Sequence, residues 1–507
     1  MRSPWLWAIV GVALVLRLTL LLTAPTDNVD GGPFTSDSRG YVDLAEGLVE
    51  IHVFQSPETL APWADHVQRE AHKPHNGWDG PPEVFRTPGY PLFLAPTVRL
   101  GLPTTCPDMA AQLGLLAMLL PQILLDCGLV VLTYLLGLRL LSHKAGLLGA
   151  FFQAISPLAI ASSCRVLSDS LYAFLLTAVM LLLARHFRLL KQDEQLSRER
   201  AMETSDNPRF RVAVSYRTWK ALAASALVLG AATYVRPIGQ MMAAGIAFVL
   251  LCGRRGLDRA IVFVVIVALC LSPWIARNLI VADYHGFSTF AYKSFINYTC
   301  WRVFEDTHGI GPWNRSVDNK DETLRAAVRG QCPGENEYDY DVQGKYLLRL
   351  AAQHPGLVAK YHLQGAVVFW LPGATDVLEI AGLSRGNRGT LSIIQDEGLL
   401  AGVSHYFGED VGKGAMALTI GMVLVYGVQL VGLAIFAAVG VRTAIRNRFR
   451  IPAIVWVGLL LLLLSMLAPG PASHPRFRVP LEPMLNIAAA CGYLLLGRRK
   501  ASTAQLG

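Results

Sequence analysis

A carboxylate and a series of arginines stand where an apolar chain has least use for charge. Asp37 lies in "TSDSRGYVDLAEGL" (35–48) with Arg39 two residues on, and Arg86 precedes a Pro-Gly-Tyr-Pro turn in "FRTPGYPLF" (85–93) that runs straight into apolar sequence. Four further stretches have the same character: "CRVLSDSLY" (164–172), "YVRPIGQ" (234–240), "SPWIARN" (272–278) and "SHPRFRVPLEP" (473–483). A placed carboxylate can take a proton as a general base. Guanidinium groups offer planar, bidentate hydrogen bonds and stay charged near lipid. Together, Arg39, Arg86, Arg165, Arg236, Arg277, Arg476 and Arg478 ask for an anion, and phosphate is the natural guess.

The elements that position these residues are membrane spans. Of 507 residues, 53% are hydrophobic and 16% charged, and the mean hydropathy is +0.39; a soluble protein is less apolar and more charged. Apolar runs near the roughly 20 residues that cross a bilayer recur at about 5–24, 115–140, 145–163, 166–187, 219–235, 237–252, 259–280, 415–441, 451–468 and 478–497. The expected fold is therefore all-α: a polytopic membrane protein of about ten transmembrane helices. It is read as one membrane domain over 1–507, with two long extracytoplasmic loops, 25–114 and 281–414, carrying juxtamembrane helices. The first run is longer than the h-region of a signal peptide and is read as an uncleaved anchor. The pair 219–252 is short for two spans, and a re-entrant hairpin is the alternative.

With a cytoplasmic N-terminus, the inner loops Arg139–Lys144, Arg185–Lys220, Arg254–Arg259, Arg442–Arg450 and the tail Arg498–Lys500 are each basic, as the positive-inside rule requires. The net charge of +8 is largely these residues, so it is no nucleic-acid footprint, and no nucleic-acid partner is expected. All six unusual stretches then fall at the outer face. A phosphate presented there belongs to a lipid.

Each residue also has a plainer reading. Asp37 is a favoured N-cap type. Arg86 reads as a headgroup-level loop cation, and Arg236 and Arg277 as arginines snorkelling from helix ends. Ser168 and Asp169 read as a cap. Arg17 lies seven residues inside the first run, roughly 10 Å deep at 1.5 Å per residue, and needs a partner or polar cavity. Asp126 reads as a helix-to-helix contact.

Taken in order, the motifs resemble those of the type-C integral-membrane glycosyltransferases, in the branch of protein O-mannosyltransferases, aminoarabinose transferases and related family 39 enzymes. They are Asp37, Ser38 and Tyr41 after the first helix, Arg86 with Pro88 to Pro91, Ser168-Asp169, Arg236-Pro237, Pro273-Trp274 with Arg277-Asn278, and Arg476 with Pro480 and Pro483. The resemblance implies a polyprenyl-phosphate sugar donor, an acceptor hydroxyl on a lipid, polysaccharide or protein, and transfer on the extracytoplasmic face of a membrane such as the bacterial inner membrane. It makes Asp37 the catalytic carboxylate and Arg86 the donor-phosphate contact, with Arg39, Arg236 and Arg476 beside it. Tyr41, Tyr90, Asp169, Arg277 and Arg17 are expected in support. The sequence departs from the aminoarabinose enzymes in placing Arg39 two residues after the acid instead of three, and in having Asp169 where Glu is usual.

The chemistry is coherent without the family. Displacing a polyprenyl phosphate from an anomeric carbon needs a base for the acceptor's proton and cations for the departing phosphate, and a single displacement inverts the anomeric centre. No His/Cys/Asp cluster has metal spacing and His474 alone is weak, so no metal or other cofactor is expected. A transporter or flippase for a lipid-linked sugar is the alternative; it predicts inverted repeats and charge near the midplane. A scaffold protein would have no reason for Asp37 beside Arg86. Cys300 and Cys332 share the outer segment and are expected to form a disulfide, with free thiols or mispairing with Cys106 left open. The topology is testable: cysteines at Ser56 and Ser316 should react with an impermeant thiol reagent on intact cells and one at Ser197 should not, so labelling at Ser197 would overturn the sidedness.

Overall fold

In lipid every backbone N–H and C=O must be satisfied within the chain, and only helices or closed barrels achieve that. The computed structural model describes residues 3–24, 33–50, 54, 83–100, 109–203, 214–253, 256–310, 317–332, 334, 336–383, 393, 397–398, 401, 404–405, 413–446 and 452–504, and among them there are helices and no strands. Cys106, Ser56 and Ser316 lie outside the described residues.

All ten apolar runs are helical, in three grades. Seven helices are long and apolar enough to cross a membrane: Pro4–Thr23, Gly114–Leu140, Asp169–Glu199, Tyr216–Val235, Gly256–Ala282, Lys413–Arg446 and Pro475–Leu496. The chain is an integral, multi-pass membrane protein. The run at 145–163 is two helices, His143–Ile155 and Pro157–Ser163, bent by 58°. The break falls where Pro157 has no N–H to continue the ladder, and Ser156 caps the second piece by accepting from the Ala159 amide. Gly239–Leu251 and Ala453–Leu467 are shorter apolar helices, spanning roughly 20 Å at 1.5 Å per residue, less than the hydrocarbon thickness.

Arg17 sits at the centre of the bundle. It is fully buried, and its Nε donates to Asp126 Oδ2 at 2.5 Å. One Nη donates to the carbonyls of Ala13 and Ala154 at 2.9 and 3.0 Å. Ala154 lies just before the bend at Ser156, where the carbonyls lose their helical partners. One guanidinium thus ties the first span, the second span and the bent pair. Arg17 is part of the scaffold, since its hydrogen-bonding reach is consumed deep in the bundle, away from Asp37.

The second long segment between spans builds its own small core. Around a π-turn at Phe295–Cys300, the helices Trp301–Thr307, Val317–Gln331, Tyr340–Gln353 and Pro355–Phe369 bury Val303, Phe304, Leu324, Val328, Tyr346 and Leu347. Cys300 and Cys332 belong to this cluster as free thiols. The expected disulfide is not formed: both side chains act as small buried hydrophobes. His362 fastens this unit to the bundle, its Nδ1 at 2.7 Å from the Leu467 carbonyl and its Nε2 at 3.2 Å from the Thr299 hydroxyl.

Removing one member of a buried ion pair strands the other charge, at about 3–5 kcal/mol. Asp126→Leu alone should therefore lower the unfolding midpoint of the detergent-solubilised protein sharply. Arg17→Met with Asp126→Leu should recover most of the loss; if the single variant unfolds like the parent, the pair does not hold the bundle.

Candidate active site

Asp37 stands in the first turn of the amphipathic helix Ser36–Glu50, where the positive end of the helix favours a carboxylate. The helix start is fastened by Thr35 and Ser38: the Thr35 amide donates to Ser38 Oγ, and the Ser38 amide to the Thr35 carbonyl, each at 2.9 Å. Asp37 is thus inside the helix and is not its cap. Its side chain remains 46% accessible, open to a substrate, and its Oδ2 accepts from Arg476 Nη2 at 2.9 Å. Arg86 Nη2 approaches Oδ1 at 3.9 Å.

Local chemistry brings Arg86 there. Glu83 Oε1 accepts from the amides of Phe85 and Arg86 at 2.6 and 2.9 Å, fixing the turn before the arginine. Two glycines then permit close approach. A Cβ on Gly40 would stand 2.5 Å from Arg86 Cζ, so the guanidinium lies directly on the bare backbone of the Asp37 helix. A Cβ on Gly89 would stand 2.6 Å from the Tyr234 carbonyl, so the Pro-Gly-Tyr-Pro turn abuts the end of the Tyr216–Val235 helix, two residues from Arg236. Tyr90 is fully buried and donates to Gln122 Oε1 at 2.8 Å, while Gln122 Nε2 donates to the carbonyls of Ser162, Ser163 and Arg165. This ties the Arg86 turn to the loop before Asp169. Tyr41 packs edge-on against Tyr90 at 4.9 Å, lies under Arg86 at 5.6 Å and meets Ser168 Oγ through its hydroxyl at 3.4 Å.

Arg236 pairs with buried Asp169, and both Arg236 and Arg476 lie 5.5 Å from the centre of the Phe477 ring. The recess therefore runs Arg86, Asp37, Arg476, Phe477, Arg236, Asp169, with three guanidiniums against two carboxylates. Burial pushes the Asp37 carboxyl up, but the charge and hydrogen bond of Arg476, then Arg86 and Arg236, outweigh it and hold the group below the ordinary aspartate value. Such a group is ionised throughout the physiological range, beside cations with capacity for a further anion.

The other arginines are elsewhere or occupied. Arg39 is exposed; two residues along a helix is roughly 200° of rotation, so it points away from Asp37. Arg277 donates to the carbonyls of Glu83 at 2.8 Å and Phe54 at 3.1 Å and stacks over Trp274; it neither snorkels nor faces the recess, but holds the loop that presents Arg86. Arg165 pairs with Asp376 and Glu379. Arg478 is buried against Glu482 and the Phe369 carbonyl. Sequence reading missed Gly40, Glu83 and Gln122. Gly40 inside a helical pattern and Gln122 beside Pro121 in an apolar run were available signals; Glu83 had none. Among the described residues no group of three His, Cys, Asp or Glu side chains is placed to hold a metal ion.

No model of a known protein family matches the chain, and no curated protein matches its sequence. Solved structures do. One is the oligosaccharyltransferase of Archaeoglobus fulgidus tethered to an acceptor peptide, 12% identical at a TM-score of 0.50, covering 100% of this chain and 51% of the neighbour. A second is the same organism's oligosaccharyltransferase AglB with an inhibitory peptide and a dolichol-phosphate, at 13% identity and a TM-score of 0.48, covering 100% and 52%. A third is ArnT from Cupriavidus metallidurans bound to undecaprenyl phosphate, at 13% identity and a TM-score of 0.40, covering 96% and 78%. The chain spans about half the length of the oligosaccharyltransferases. The likeness to the first of these is one of fold, a polytopic helical membrane architecture shared along the whole of this chain.

Asp43, on the same helix as Asp37, is buried, and its carboxyl is pushed up to about 6, by burial first and then by Glu46, against Arg86 and Arg39. A carboxyl raised above its unfolded value favours folding while protonated, and that advantage is lost as pH rises through the range from about 4 to 6. Asp43→Asn should therefore stabilise the protein at pH 8, by about 1–3 kcal/mol once solvent screening is allowed for, and by roughly half that at pH 5. Thermal midpoints of parent and variant across that range measure it; a gain independent of pH would contradict the assignment.

Proposed function

We propose that the chain is a glycosyltransferase that moves a monosaccharide from a polyprenyl-phosphate donor to an acceptor hydroxyl at the extracytoplasmic membrane surface, with inversion. The observation that supports this reading is Asp37, open to substrate yet bracketed by Arg476 at 2.9 Å and Arg86 at 3.9 Å. The fold shared with an oligosaccharyltransferase supports the architecture, and the basic inner loops support the sidedness.

In this reading Asp37 takes the proton of the acceptor hydroxyl, whose oxygen forms the new bond to the anomeric carbon as the bond to the phosphate oxygen breaks. The polyprenyl phosphate leaves with the bonding electrons, and Arg86, Arg236 and Arg476 stabilise its charge. The arrangement has a built-in order. Before the donor arrives, two guanidiniums are engaged with Asp37 and depress its basicity. A phosphate competes for the same donors, and each guanidinium it draws away returns basicity to the carboxylate that must take the proton. Asp169 keeps Arg236 in place in the meantime.

Four substitutions separate the roles. Asp37→Asn keeps the shape and removes the base, so sugar transfer by purified protein should fall by about 10²–10⁴ with donor binding little changed. Arg86→Ala should weaken donor binding about ten- to a hundredfold, from the roughly 1.5–3 kcal/mol of a charge-assisted hydrogen bond, and Arg86→Lys should recover part. Gly40→Ala places a methyl where the Arg86 guanidinium lies and should reproduce the Arg86→Ala binding loss in a folded protein. Near-normal transfer by Asp37→Asn, or parent-like affinity for a polyprenyl-phosphate sugar in Arg86→Ala, sinks the assignment.

A further inference from the structure

Arg476, which bonds Asp37, is carried by a short 3-10 segment, Pro475–Leu481, whose N-cap is His474. Pro475 has no N–H, so the first amide of the segment needing a partner is that of Arg476, and His474 Nδ1 accepts it at 3.2 Å. In the neutral ring the proton is then on Nε2, which faces Asp376 Oδ1 at 3.9 Å. Asp376 is buried and held by Arg165 Nη1 at 2.8 Å, and Arg165 also pairs with Glu379. The imidazole side chain is 43% accessible, so a proton from the recess can reach it.

We propose that His474 is a positioning residue whose neutral ring sets the Arg476 backbone, and through it the Arg476 guanidinium, against Asp37, and that its protonation releases that contact. A protonated Nδ1 cannot accept from an amide: it turns a donor toward a donor and puts a cation two residues from a guanidinium. The charged groups acting on the ring are Asp376, Arg476, Arg165 and Asp169. Burial first, then Arg476 and Arg165, outweigh Asp376 and Asp169 and bring the ring below the ordinary histidine value. The cap is therefore intact at neutral pH and lost on acidification below about pH 6.5.

The primary readout needs no substrate: carbodiimide labelling of Asp37 in the purified chain, mapped by mass spectrometry from pH 7.5 to 5 and normalised to labelling of exposed Asp339. Removing a guanidinium from a carboxylate raises its pKa by roughly 1–3 units, so the ratio of Asp37 to Asp339 labelling should rise about tenfold or more from its value at pH 7.5 as His474 protonates. His474→Asn has an amide oxygen that caps at every pH and should flatten this rise; His474→Ala should show high Asp37 labelling already at pH 7.5. Asp43→Asn should leave the parent profile unchanged. The proposal is overturned if His474→Asn tracks the parent, or if Asp43→Asn abolishes the rise. A second readout rests on the proposed function: the acid limb of kcat/KM below about pH 6.5 should disappear in His474→Asn and persist in Asp43→Asn. A parent that transfers no sugar but shows the labelling pattern refutes the transferase reading and leaves the positioning role standing.

Discussion

A guanidinium can be held inside a membrane bundle only with its partners already in place, because the cost of an unpaired buried charge exceeds what any one packing contact returns. Three buried arginines show the consequence. Arg17 has Asp126 and two backbone carbonyls. Arg165 has Asp376 and Glu379, and Arg478 has Glu482 and the end of the Pro355–Phe369 helix. Most of these contacts join segments far apart in sequence, so they fix which helices are neighbours, and the helices in turn fix where their ends meet.

Against that background the recess around Asp37 is unusual in how its charges are left. Arg86 makes only a 3.9 Å approach to the Asp37 carboxylate, and Asp37 is nearly half open. Aromatic stacking is common to both groups, Arg277 on Trp274 and Arg478 on Tyr426 in the scaffold, Arg236 and Arg476 on Phe477 in the recess; Arg86 differs in resting on Tyr41 and Phe85 with its carboxylate partner still 3.9 Å away. Stacking retains a guanidinium at a site without consuming its donors, which keeps them available to an incoming anion.

The parts behind the recess are as specific as its lining. Arg277 and Glu83 shape the loop that presents Arg86, Gly40 and Gly89 let backbone and guanidinium meet, and Gln122 gathers three carbonyls from the loop before Asp169. Their hydrogen bonds and close approaches go to the surrounding backbone and to Arg86, and so determine the direction from which a cation reaches Asp37. A motif alone does not separate such supports from the lining itself: Arg277 and Arg86 are both arginines close to prolines, and their hydrogen bonds distinguish them.

The sequence by itself determined the solvent, the helical class and the ten apolar runs, because these follow from local composition. It also singled out Asp37, Arg86, Arg236 and Arg476, whose residue types are costly near lipid and therefore conspicuous. Only the tertiary structure decided which arginines converge, since a guanidinium binding phosphate and one capping carbonyls look alike as letters. It turned Arg39 away by helical rotation, gave Arg17 to Asp126, left Cys300 and Cys332 as packed thiols, and made His474 the cap of the Arg476 turn. Most of those outcomes depend on distances between residues far apart along the chain, which no local pattern encodes.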